Sequence, residues 1–464
     1  MARHELFEGA ATYHYENLIL EPGRSDVHPT EPSVRSRFSR SIGLEIPIVS
    51  AAMDTVTETR MAKAMALNGA LGVLHRNMPP KDQADMVREV KRSGYIVINP
   101  TTVTGDMRVA EVYELSKDLG FGTFPVINSR NEMVGLVTKP AIHLGVIGGA
   151  EQVSEIMKDD YVSLEFGATK EDIMEVMKQE GIGKIPILKN RKLYGLAISS
   201  DLLEDSSHKA ATRDKEGRLK VGAAVGVLPH DAERVEALYQ AKVDVLVIDS
   251  SHGYCGAVID TVKKIKKEYG GAVDVVAGNV ATGDGAVALA QAGADGIKVG
   301  IGPGRACTTW EVTGAGKPQA SAVYDSKKGL DEEGFGYLPL VADGGIEKSG
   351  DITIALAIGA DSVMVGGLLS GTYEAPGKMV ESESDVKYRI YRGMASKEAL
   401  GSRHGYGRAV EGREVLVPYS GNVEDVLREL VNGVKSGMAH TGAKNIEDLR
   451  KKARLRPVDS RYTR

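Results

Sequence analysis

The residue whose chemistry stands out is Cys307, at the end of the loop Gly300-Ile-Gly-Pro-Gly-Arg-Ala-Cys-Thr-Thr-Trp310. Glycines there let the backbone bend sharply and approach a ligand closely. A strand expected at 296–299 anchors the loop, so the thiol can be presented as a nucleophile from a rigid support. A tight turn around a small buried thiol is the other reading of such a residue. Further loops of the same kind decide between them: Ser50-Ala-Ala-Met-Asp54, His75-Arg-Asn77, Asp249-Ser-Ser-His-Gly253, Ala277-Gly-Asn279, Asp343-Gly-Gly345 and Gly366-Gly367. One such loop is an ordinary turn; seven on one rim are a site. Gly344-Gly345 and Gly366-Gly367 suit a phosphate, because bare backbone N–H groups can face the anion. Asp343 suits ribose hydroxyls, or else caps a helix.

The elements that would bring these loops together are short β-branched strands at 46–50, 72–75, 221–225, 243–248, 273–277, 296–299, 340–342 and 362–365. Helical spacing fills the intervals, as at 57–67, 232–241, 256–269, 283–292 and 349–358. Strands apolar on both faces, alternating with helices, read as an α/β fold, a parallel (β/α)8 TIM barrel whose site lies at the C-terminal strand ends. An open doubly wound sheet is the rival.

The spacing fails between Met86 and Lys220, where the chain repeats itself. Gly122-Thr-Phe-Pro-Val-Ile is echoed by Gly183-Lys-Ile-Pro-Ile-Leu, each leading to a turn and a second strand and each preceded by an amphipathic helix (109–119 and 170–179). That is a separate α+β module of two repeats. The expected organisation is barrel at 1–90, inserted module at 91–208 and barrel at 209–464, with a polar lid-like stretch at 373–420, a helix at 422–434 and a solvated basic tail at 450–464.

Composition narrows the partners. A net charge of −5 and a pI near 6.1 give no reason to expect nucleic acid. Two cysteines make no disulfide framework, and no apolar run is long enough to span a bilayer. The expectation is a cytoplasmic enzyme.

Several of these stretches together resemble one family. The cysteine loop, Val49-Ser-Ala-Ala-Met-Asp-Thr-Val-Thr-Glu58, Val247-Ile-Asp-Ser-Ser-His-Gly253, Ala342-Asp-Gly-Gly-Ile346 and Tyr391-Arg-Gly-Met394 resemble the IMP dehydrogenase/GMP reductase family, from about residue 15 to residue 455. The module resembles a tandem CBS pair, which implies an adenine or guanine nucleotide ligand; Asp201 matches the family's ribose-binding Asp, whereas Pro140-Ala141 stand at that place in the first repeat.

The resemblance implies that Cys307 bonds to C2 of a purine, while hydride passes to or from a nicotinamide. It gives Thr309 and Glu411 the activation of water or ammonia. Asp343, Gly345, Gly366, Gly367, Tyr391, Gly393 and Met394 would contact the nucleotide. Ser50 and Met53 would line the base pocket, with Asn279 near the cysteine. Asp249, Ser250, Ser251 and Gly300 would serve the cofactor. Carbonyls of Gly302, Gly304 and Cys307 would bind a monovalent cation, usually potassium, completed by a neighbouring subunit of a homotetramer or octamer. Three residues depart from the pattern: Arg305 and Gly367 replace serines that touch phosphate, and Trp310 stands where Arg or Gln is common. Arg305 can reach the phosphate as a cation.

Two reactions share this scheme. A dehydrogenase oxidises IMP to XMP with NAD+, and its flap brings an Arg-Tyr pair to activate water. A reductase converts GMP to IMP and ammonia with NADPH and lacks that pair. Residues 395–410 hold no Arg-Tyr pair; Arg403-His404 is a shortened substitute in the first case, since His can act as a base, and a surface pair in the second. This short flap and Glu411-Gly-Arg-Glu-Val-Leu-Val-Pro-Tyr419 look like a reductase. Glu374-Ala-Pro-Gly377, Tyr391-Arg-Gly-Met394 and Ser436-Gly-Met438 look like a dehydrogenase, and the longer body carries the expectation that way. A non-catalytic nucleotide sensor would not need the intact Cys307-Thr-Thr309, and a flavin-dependent barrel would lack the purine motifs.

Overall fold

The computed structural model describes residues 6–9, 11–92, 96–98, 100–200, 202, 208–382, 386–400 and 409–459. Eight parallel strands close into a barrel: β1 Ile48–Ser50, β2 Leu71–Leu74, β3 Gly222–Val225, β4 Val245–Asp249, β5 Asp274–Val280, β6 Gly296–Val299, β7 Leu340–Asp343 and β8 Ser362–Val365. Closure is made where Val363 of β8 registers with Ile48 of β1. Helices α1 Thr59–Leu67, α2 Pro80–Arg92, α3 Ala232–Gln240, α4 Gly256–Tyr269, α5 Gly283–Gln291, α6 Gln319–Glu332 and α7 Ser349–Ile358 alternate with the strands.

The two-residue strand period builds two cores. On β4, Val245 and Val247 join Leu71, Val73, Val276 and Val341 inside the barrel, while Leu246 and Ile248 pack outward in the larger core. Phe38, Ile42 and Leu44 belong to the inner core, carried by an antiparallel pair, Ser36–Arg37 with Gly43–Leu44. A Cβ on Gly296 would sit 2.9 Å from the Phe38 carbonyl, so glycine is what permits this approach.

Two stretches differ from expectation. Within 373–420, Met379–Glu381, Lys387–Arg392 and Glu414–Pro418 form an antiparallel sheet. Arg389 is buried there because its guanidinium donates to the carbonyls of Tyr373, Ala375 and Gly377. The tail, expected to be solvated, is docked over residues 450–457. Leu455–Pro457 pairs with Leu18–Leu20, Leu455 is buried, and Arg450 donates to the carbonyls of Leu356, Gly359 and Ala360 at the end of α7.

Contacts divide the chain into one unit of residues 1–91 and 210–464 and a second of 92–209. The second is built twice over. In one half Val103–Thr104 runs parallel to Phe124–Ile127, which hairpins to Met133–Val137; in the other Leu164–Glu165 runs parallel to Lys184–Lys189, which hairpins to Lys192–Ile198 and then Ile96–Ile98. Both hairpins shift register at the same motif position, between Val126 and Ile127 and between Ile187 and Leu188. Pro140 and Ala141 lie in the helix Lys139–Gly148, and Asp201 is outside the described residues. Among the described residues, no helix is long and apolar enough to cross a membrane.

Candidate active site

The loops leaving the barrel strands surround a cavity of about 690 Å³, within the range of small-molecule sites. Cys307 lies on its wall, half-buried. Its Sγ is 3.1 Å from Thr309 Oγ1, and that hydroxyl donates to Glu411 Oε2 at 2.8 Å. Glu411 lies 102 residues from Thr309 and is held there by backbone: Thr308 N donates to Glu411 O, Arg413 N donates to Ala306 O, and Cys307 bridges Gly412. The crossing is close enough that a Cβ on Gly393 would meet the Ala306 carbonyl at 2.7 Å. A thiol, a hydroxyl and a carboxyl in line can move a proton to or from an atom attached beside the sulfur.

Asp343 ends β7 and Asp249 ends β4, and Lys298 from β6 joins them. Its Nζ lies 2.6 Å from Asp343 Oδ2 and 3.1 Å from Asp249 Oδ1, and it also donates to Asn279 Oδ1. Asn279 in turn donates to Asp343 Oδ2 at 2.9 Å and to the Gly300 carbonyl at 2.7 Å. Burial alone would raise the Asp249 carboxyl, but Lys298 and Arg76 outweigh it and hold it below its usual range. Burial likewise opposes the Lys298 charge, yet Asp343 and Asp249 carry it above the ordinary lysine value. The pair therefore stays ionised beyond both the usual carboxylate and the usual lysine limits. The Asp249 contribution to stability is lost only as pH falls through its lowered value, and that of Lys298 only as pH rises through its raised one. Lys298→Met is expected to cost about 3 kcal/mol, the low end for stranding buried charge because both carboxylates also reach the cavity; thermal or urea unfolding measures it.

The remaining expected residues fall into place by element. Ser250, Ser251, Gly300, Gly302 and Gly304 line the main cavity beside Asp249 and Cys307. Met53, Tyr391, Gly393 and Met394 line it as well. Tyr391 Oη is 3.6 Å from Met53 Sδ, and Met394 Sδ accepts from the Asp54 amide. Burial, with Asp343 and Cys307 nearby, pushes the Tyr391 hydroxyl well above its usual value, so it is a neutral donor. An adjoining cavity of about 280 Å³ is lined by Arg305, Gly345, Gly366 and Gly367, and Tyr391 borders both. A Cβ on Gly367 would lie 3.9 Å from Arg305 Cδ.

Ser50 stands apart from the expected base pocket. Strand alternation turns Val49 into the barrel and Ser50 the other way with Ile48, where it is fully buried and accepts from Thr57 Oγ1 at 2.8 Å. Arg403 and His404 lie outside the described residues. Sequence reasoning passed over Lys298; its signal is a charge inside the apolar strand Gly296-Ile-Lys-Val299. It also passed over Gln319, whose amide donates to the carbonyls of Val299 and Asp343 across two strand ends.

Fold and site together define a (β/α)8 barrel with a thiol, a hydroxyl and a carboxyl in contact and two lysine-linked carboxylates at its strand ends. A family model described as IMP dehydrogenase / GMP reductase domain matches residues 12–461. The inosine-5'-monophosphate dehydrogenase of Aquifex aeolicus is 42% identical, over 95% of this chain and 92% of that protein, and its Haemophilus influenzae counterpart is 40% identical over the same shares. Among solved structures, a cysteine-to-alanine variant of GMP reductase from Trypanosoma brucei with guanosine 5'-monophosphate superposes with a TM-score of 0.88 at 35% identity, covering 99% of this chain and 98% of that one. The chain belongs to the IMP dehydrogenase/GMP reductase family of oxidoreductases.

Proposed function

We propose that the protein is a purine nucleotide oxidoreductase acting at C2, in the reductive direction: GMP and NADPH to IMP and ammonia. The unbroken contact from Cys307 Sγ through Thr309 to Glu411 supports the chemistry at C2, and the lack of an Arg-Tyr pair in residues 395–410, with the likeness to a GMP reductase structure, supports the reductive direction. The Cys307 sulfur bonds to C2 of the base. The 2-amino group leaves as ammonia, taking its proton from Glu411 through the Thr309 hydroxyl. The C–S bond then breaks as C2 gains hydride, which regenerates the thiolate and releases IMP. When bound against Asp249, Ser250, Ser251 and Gly300, the nicotinamide supplies that hydride. Those residues fit a nucleoside, since a carboxylate and two hydroxyls line one side of the cavity.

On the substrate side, Asp343 accepts from the ribose hydroxyls, while Met53, Met394 and Tyr391 enclose the base. The backbone of Gly345, Gly366 and Gly367, with the Arg305 guanidinium, takes the phosphate. Here Arg305 stands in for missing hydroxyls.

Oxidation of IMP to XMP with NAD+ is the second reading, favoured by the identity to bacterial dehydrogenases and by the body motifs around Glu374 and Tyr391. Under that reading Arg403 and His404 would activate water. We further propose a cytoplasmic homotetramer or octamer whose inserted unit binds an adenine or guanine nucleotide.

Paired assays test the direction. NADPH consumption is expected with GMP, and no NADH formation with IMP and NAD+. The reverse result would transfer the assignment to the dehydrogenase.

A further inference from the structure

Two stretches of chain meet beside the main cavity: residues 53–55, in the loop after β1, and residues 391–394, which begin at the end of the strand Lys387–Arg392. Met53 and Tyr391, 338 residues apart in the chain, come within 3.6 Å of each other. Both line the cavity, as does Met394. Strand alternation puts Arg392 on the opposite face from Tyr391, and there its guanidinium meets the Asp54 carboxylate.

The contacts that join the two stretches differ in strength. Tyr391 Oη to Met53 Sδ, and the Asp54 amide to Met394 Sδ at 3.4 Å, both end on sulfur, a weak acceptor. The Arg392 amide donates to Thr55 Oγ1 at 3.2 Å, an ordinary neutral bond. The remaining contact is a fork: Arg392 Nε donates to Asp54 Oδ1 at 3.0 Å and Nη2 to Oδ2 at 2.8 Å. Such charge-assisted pairs are about twice as strong as neutral bonds. From the loop after β2, Asn77 Nδ2 donates to the same Oδ2 at 2.8 Å, so the carboxylate is also tied to the barrel. The Asp54 side chain is 5% exposed, against 28% for Arg392, so the acid is the fixed anchor. The fit beside it is tight: a Cβ on Gly366 would meet Tyr391 Oη at 2.8 Å.

We infer that Asp54 is a positioning residue: it docks residues 391–394 on the barrel mouth and thereby closes the pocket for the purine base. The inference rests on the substrate site proposed above, in which Met53, Tyr391 and Met394 enclose that base. The residues proposed for the nicotinamide nucleotide, Asp249, Ser250, Ser251 and Gly300, follow β4 and β6 and owe nothing to this docking. Loss of Asp54 should therefore weaken one ligand and spare the other. A loosened fold would weaken both.

The experiment uses the full chain with Asp54→Asn, Arg392→Gln and the double variant. Asp54→Asn keeps the size of the side chain and removes its charge, and the part-exposed Arg392 can return to water, so this variant should fold. Hydrogen–deuterium exchange reads the docking, and titration calorimetry reads the affinities for GMP, IMP and NADPH. In Asp54→Asn, exchange within residues 388–394 should rise by about tenfold, the worth of a bond to a charged group, while the barrel strand β4 stays as protected as in wild type. GMP and IMP affinity should fall by about tenfold, and NADPH affinity should change by less than about twofold. Arg392→Gln should do the same, and the double variant should lose little more than either alone. Unchanged exchange in 388–394 would overturn the inference. So would raised exchange with unchanged purine affinity, equal losses for purine and NADPH, or single losses that multiply. If wild type bound neither purine, the proposed function would fail, and the exchange rates alone would then keep or strike Asp54 as the residue that docks 391–394. If Arg392→Gln fails to fold, Asp54→Asn decides.

Discussion

Replacing Cys307 with alanine is expected to reduce turnover by at least about 10⁴-fold with either nucleotide pair, while purine monophosphate still binds. In the proposed chemistry the sulfur is the atom that joins the base, and its neighbours among the described residues are poor substitutes. Thr309 Oγ1 is 3.1 Å from the sulfur but already donates to Glu411, and the other cysteine lies on a different loop, at the start of α4. Binding should persist because the contacts proposed for it come from other elements: Asp343 from β7, the glycines after β8, and Tyr391 from the antiparallel sheet. Isothermal titration with GMP measures the retained affinity and a coupled spectrophotometric assay measures the lost rate. Residual turnover within tenfold of wild type would remove the covalent step. An unchanged rate would move the chemistry to the Lys298 cluster.

The rim was legible in sequence because two signals coincide at most strand ends. A short apolar run stops, and Gly, Asp, Asn or Ser follows at once, as at Val247-Ile-Asp-Ser-Ser251 and Leu340-Val-Ala-Asp-Gly344. Which side chain faces inward is a finer matter of strand phase. Ser50 shows it: one residue along from Val49, it points away from the barrel interior. Lys298 was harder to see because its meaning lies in partners 45 and 49 residues away, Asp343 and Asp249. In the strand alone it reads as an interruption. The docked tail was illegible for a related reason. Leu455 is buried only because Leu18–Leu20, at the opposite end of the chain, supplies a partner strand. The polarity of 373–420 misled because a charged side chain usually marks solvent, whereas the two terminal nitrogens of Arg389 donate to three backbone carbonyls inside the sheet.

Glu411→Gln separates the two directions of chemistry. The amide keeps the length and shape of the side chain, and its oxygen can still accept from Thr309 Oγ1, so the loop contacts should survive. What is lost is the exchangeable proton. In the reductive direction, the 2-amino group cannot depart without that proton, and steady-state NADPH consumption should fall by about 10²–10³-fold. The block precedes hydride arrival, so no rapid first turnover of NADPH is expected either. In the oxidative direction the order reverses. Hydride would leave C2 before water is activated, and one equivalent of NADH would appear in a burst ahead of a slow phase. Stopped-flow absorbance at stoichiometric enzyme distinguishes the two patterns. Thr309→Val should reproduce the Glu411→Gln defect, because among the described residues the hydroxyl is the group that links sulfur to carboxyl. The double variant should then lose little more than either alone, as expected when two residues form one relay. Losses that multiply would mean that threonine and glutamate act separately. The proton would then reach the amino group by some path other than the one running from Glu411 through Thr309.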